Sequence, residues 1–94
     1  MNYLRKRIKN KVDKIIKLAT DISMSTEHDV WFSYSGHVNK FESCCVVGGF
    51  SAERRRCEVN LYLDSEKDKW IYQGQIKELN KYICELIKLK EGVR

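Results

Sequence analysis

The stretch Arg56-Cys57-Glu58-Val59-Asn60-Leu61-Tyr62-Leu63 sets Cys57, Val59, Leu61 and Leu63 at every second position, with Arg56, Glu58, Asn60 and Tyr62 between them. A period of two sends successive side chains to opposite faces of a strand, so this segment predicts a strand with one apolar and one largely polar face. A sheet of that kind needs a layer over its apolar face, and the sequence on either side supplies two.

Two further strands precede it. In Asp29 to Ser35, Val30, Phe32 and Tyr34 alternate with Trp31, Ser33 and Ser35, and Gly36-His37 supplies the reversal. In Phe41 to Val47, Phe41, Ser43, Cys45 and Val47 take one face, Glu42, Cys44 and Val46 the other, and Gly48-Gly49 closes the strand. Outside the strands the period changes to three or four. Leu4, Ile8, Val12, Ile15, Ile16, Ala19 and Ile22 form one helical stripe, ended by the small and polar residues Ser23 to Glu27. Tyr72, Ile76, Leu79, Ile83, Leu86 and Ile87 form a second. Asp64 or Ser65 serves as its N-cap, Ser65 with Asp68 resembles a capping box, and Gly92 stops it. The expected fold is α+β: a two-layer α-β-β-β-α domain over residues 1–94, with a three-stranded antiparallel sheet and two long amphipathic helices on one face. The opposite face stays open, carrying Trp31, Cys44, Val46 and Tyr62 beside Arg56, Glu58 and Asn60.

With 94 residues, 43% of them hydrophobic and 33% charged, the chain can build one core and has no room for a second domain. No apolar run approaches the roughly 18 residues of a membrane span, and residues 1–17 are charged throughout where a secretory signal needs an apolar stretch. A cytoplasmic protein is expected, so Cys44, Cys45, Cys57 and Cys84 are read as thiols, with Cys44 the reactive one if it is exposed.

The formal charge of +5 is concentrated in one place. Residues 1–17 hold Arg5, Lys6, Arg7, Lys9, Lys11, Lys14 and Lys17 against Asp13 alone, a local +6, which leaves −1 for the rest. The first helix is therefore a solvated polar face, an anion-binding surface or a helix lying on acidic lipid; its apolar stripe has an intramolecular partner and lacks the aromatics of interfacial helices, which disfavours the last. Arg54, Arg55 and Arg56 lead into the third strand near Trp31 and Tyr62, a combination of guanidinium forks and aromatic faces suited to a nucleotide or a single strand, although a charge run also serves to protect a sheet edge.

Catalytic signals are sparse. His28 and His37 flank the first strand with Asp29 and several serines nearby, but there is no nucleophile elbow, phosphate-binding loop or paired-carboxylate pattern. Cys44 and Cys45 point to opposite faces, and no C-x-x-C or H-x-x-x-H pair is present, so neither metal nor cofactor is expected. Cys45 and Cys57 are expected in the core. The reading is a non-enzymatic binding protein, with Trp31, His37, Arg54, Arg55, Arg56, Tyr62, Arg5 and Lys9 as its contact residues.

Trp-Phe-Ser-Tyr-Ser-Gly-His-Val at 31–38, Gly48-Gly49-Phe50 and Val-Asn-Leu-Tyr-Leu-Asp at 59–64 resemble small proteins encoded by phages and prophages of Gram-positive bacteria. The resemblance covers roughly residues 28–64. It implies a setting in which small single-domain proteins, such as anti-CRISPR proteins and sponges for immune-signalling nucleotides, act by occlusion or sequestration. The implied partner is a host defence protein or an anionic nucleotide, with nucleic acid as the alternative and no membrane. A homo-oligomer is expected, formed through an exposed patch of Trp31, Val46 and Tyr62.

Overall fold

The computed structural model describes residues 3–48, 56–63 and 69–92, with side-chain detail for 6–48, 57–63 and 71–92. The predicted N-cap at residues 64–68, the Gly49-Phe50 turn, and Arg54 and Arg55 lie outside the described residues. The elements run α1 (Tyr3–Ser25), β1 (Asp29–Ser35), β2 (Lys40–Val46), β3 (Arg56–Tyr62) and α2 (Lys69–Lys90). This is the expected α-β-β-β-α order, with a fully antiparallel sheet ordered β1-β2-β3.

The register shows why one sheet face is core. Val30 lies opposite Cys45, which lies opposite Cys57, and Phe41 lies opposite Leu61, so the apolar sets of the three strands share a face. Phe41 and Cys45 on that face are fully buried, as are Ile15 and Ile22 of α1 and Leu79 and Leu86 of α2. The Leu4 side chain lies outside the described residues; from Ile8 onward the predicted stripes hold with a small rotation. Leu18 joins the core of α1, Tyr82 and Leu89 join that of α2, and Ile16, Ile76 and Ile87 sit at its margin.

Both helices begin at the end of the sheet that holds the β1–β2 turn and run in the same sense. At their far ends Lys90 Nζ reaches Asp21 at 3.3 Å. Hydroxyl groups tie the layers together inside. Ser43 Oγ donates to the Trp31 carbonyl (2.8 Å) and so must accept from Tyr82 OH (2.8 Å), which links β2 to α2. At the end of α1, Ser23 Oγ both accepts from Val30 N–H and donates to Val30 C=O, each at 3.0 Å.

Three expectations change. Cys44 and Val46 do face away from the helices, yet they are 3% and 5% exposed; in register Cys44 lies between Trp31 and Glu58, and Val46 between Asp29 and Arg56. The exposed thiol is Cys84 on α2, not Cys44. The third change concerns Phe32 and Tyr34. They lie on the helix-facing side but remain 39% and 53% exposed, since α1 is held to the sheet at Val30 and stands off at the turn end.

Candidate functional site

Where α1 stands off, a groove of about 630 Å³ opens between its N-terminal half and the β1–β2 turn. Ile8, Val12 and Ile16 form the helix wall, Tyr34, Val38 and Leu63 the sheet wall, and Lys9, Asp13, His37 and Asn39 the polar points. The helical period places Ile8, Val12 and Ile16 on one side of α1, with Lys9 and Asp13 one position round on the same flank. Lys9 Nζ donates to Asp13 Oδ2 at 2.7 Å, with both side chains more than half exposed, so the pair adds on the order of 0.5 kcal/mol or less. That volume lies within the roughly 300–1,000 Å³ of small-ligand pockets, and the mixture of apolar walls and a few polar groups is typical of them.

Asn39 organises the turn. Its backbone is left-handed (φ 51°), a conformation asparagine tolerates better than most residues. Its Oδ1 accepts from Tyr34 OH at 2.5 Å, its Nδ2 donates to the Leu63 carbonyl at 2.8 Å, and its own carbonyl accepts from Leu63 N–H at 2.7 Å. One side chain thus joins the end of β1 to the end of β3 and fixes the sheet wall of the groove. Sequence reasoning passed over it; the available signal was an asparagine closing a Gly-His-Val-Asn turn.

Of the residues singled out from the sequence, Lys9 and His37 come together here although 28 positions separate them. The others do not join them. Trp31 and Tyr62 share the outer sheet face but sit two strands apart and four positions out of step, roughly 16 Å from one another at sheet spacing, so they make no common stacking platform. Tyr62 is already engaged, with Lys40 Nζ 5.4 Å from its ring centroid. The expected Trp31–Val46–Tyr62 patch is therefore corrected on two counts: Val46 is buried and the aromatics are separated. Arg5 belongs to α1 and Arg56 opens β3, and for both only the backbone position is described.

The histidines do not converge either. His28 is 4% exposed, and its Nδ1 accepts Gly48 N–H at 2.8 Å, so it pins the end of β2 to the start of β1. His37 is exposed in the turn at the other end of the seven-residue strand, on the order of 25 Å away. Among the described residues no group of three or more His, Cys, Asp or Glu side chains is placed to hold a metal ion, and no helix is long and apolar enough to cross a membrane.

The core chemistry also departs from the ordinary. Burial, with Cys57 directly opposite, pushes the Cys45 thiol up to about 12. Burial likewise raises Tyr82 well above the usual phenol range, against the smaller opposing effect of its Ser43 hydrogen bond. Both groups stay neutral at physiological pH. No family model matches the chain, and neither a curated protein nor a solved structure matches it.

Proposed function

We propose that this chain is a non-enzymatic, phage-type binding protein that acts in the host cytoplasm and disables a defence component by sequestering an anionic nucleotide in the groove between α1 and the β1–β2 turn. The observation that carries this reading is the meeting of Lys9 and His37 at a groove of small-ligand size whose walls are apolar. The apolar walls suit a base and sugar, and the cationic helix beside them suits a phosphate. Occlusion of a defence protein is the other form of the same class and would use the exposed aromatics of β1.

Isothermal titration and native mass spectrometry with nucleoside mono-, di- and cyclic dinucleotides test it. Saturable binding is expected, weakened at least about tenfold by Lys9→Glu and by Val38→Glu, each of which sets a negative charge at the groove. Val38 is 42% exposed, so its replacement leaves the core intact. No saturable binding of any nucleotide at about 50 mM salt removes the reading.

The nucleic-acid alternative rests on a different surface. Lys6, Arg7, Lys14 and Lys17 are exposed on the side of α1 away from the core. If they bind phosphates, log affinity for duplex DNA falls against log salt with a slope of about −3 to −4, and a flat dependence rejects that use of the helix.

A further inference from the structure

The two edges of the sheet differ. Val30 directs its N–H and C=O to Ser23 rather than to β2, while the Trp31 carbonyl points toward β2, where Ser43 meets it. Backbone groups alternate along a strand, so Phe32 and Tyr34 share the outward direction of Val30. Ser23 closes the Val30 position and leaves those of Phe32 and Tyr34 on the open edge. The β3 edge is protected: it carries the exposed Glu58, and Gln75 Nε2 donates to the Tyr62 carbonyl. Among the described residues, none protects the β1 edge in this way at Phe32 or Tyr34. Residues 30–36 contain no charged residue and no proline, in a chain whose net charge is +5, and Trp31, Phe32 and Tyr34 are 43%, 39% and 53% exposed.

We infer that β1 is a dimerisation strand that pairs antiparallel with β1 of a second copy, joining two three-stranded sheets into one of six strands. The occupant is a second copy because the strand complements itself. With a two-fold axis at Ser33, Phe32 meets Tyr34 of the partner subunit and Tyr34 meets Phe32 of the partner subunit, so the two open positions exchange all their hydrogen bonds without disturbing Ser23. Trp31 then faces the small Ser35 of the partner subunit, and the two Ser33 side chains meet at the axis. The aromatic pairs stack on the helix side, where Tyr34 already lines the groove, which sets Phe32 of the partner subunit beside that groove. The three exposed aromatics offer on the order of 250 Å² per copy, well below the roughly 800 Å² per partner of a standard interface, so a weak, concentration-dependent dimer is expected.

Sedimentation of the full chain from about ten to several hundred micromolar tests the pairing independently of any ligand. Mass is expected to rise toward twice 11.1 kDa. Phe32→Pro removes an outward N–H and leaves the ladder to β2 intact, so it should keep the circular dichroism of the native chain and weaken the dimer at least about tenfold. Ser33→Cys in a Cys84→Ser background fixes the register, because the two Cα atoms would lie about 4.5 Å apart, within disulfide reach, and oxidised glutathione should link the copies. A monomer throughout the range overturns the proposal, including one that captures an extended peptide instead. A dimer unaffected by Phe32→Pro, or one that Ser33→Cys fails to link, overturns it as well.

Discussion

Asn39 combines a left-handed backbone with three hydrogen bonds that close one end of the sheet. Asn39→Ala should lower stability by about 2–3 kcal/mol, the sum of two side-chain bonds and the cost of a left-handed alanine, while Asn39→Gly should recover the conformational share alone; urea titration separates the two. Cys45 and Tyr82 give an alkaline signature whose sign follows from their neutral buried forms. Unfolded, the thiol loses its proton near 9.0; folded, it keeps it to about 12. The stabilisation is therefore complete below pH 9 and is lost as pH rises through that window, with Tyr82 adding in the same direction at higher pH. The melting temperature should stay level to about pH 9 and fall beyond it, less steeply in Tyr82→Phe. Alkylation at pH 8 should label the exposed Cys84 first and leave Cys45 to react only on unfolding.

Among the elements, α2 shows where packing overrides propensity. Gly74 is exposed in its first half, and a Cβ there would meet nothing within 4 Å, so Gly74→Ala should stabilise the protein by about 0.5–1 kcal/mol in thermal or chemical denaturation. The Ser43–Tyr82 link predicts an asymmetric pair of losses. Tyr82→Phe removes a donor while Ser43 keeps its bond to the Trp31 carbonyl, at a cost of about 1 kcal/mol; Ser43→Ala strands the buried Tyr82 hydroxyl and should cost about 1–3 kcal/mol. Equal losses in denaturant would show that the hydroxyls relax independently.

Across the whole molecule, the helices cover the sheet unevenly. Ser23 and Val30 hold α1 to the sheet at one end, and the other end leaves the groove and the uncovered aromatics of β1. A ligand that fills the groove and binds only the folded state should raise the melting temperature with ligand concentration, by about 2.7 kcal/mol of stability at one hundred times its dissociation constant. Lys9→Glu should reduce that shift while costing the free protein no more than about 1 kcal/mol, because the exposed Lys9–Asp13 pair and the like-charge pair that replaces it are each worth about 0.5 kcal/mol or less.

The sequence by itself determined the five elements, their order, the apolar faces of sheet and helices, and the concentration of charge in the first helix. Those features follow from local periodicity, which each segment carries without reference to the others. The tertiary structure decided what depends on register and helix placement. Cys44 and Val46 read as open-face residues, and the folded chain buries both on the central strand, which no local period could tell. Phe32 and Tyr34 follow the core-face period, and only the standing-off of α1 left them exposed. Lys9 and His37 were legible one at a time, but their meeting at one groove was not, because a distance between residues of different elements is set by how those elements pack and not by any spacing along the chain.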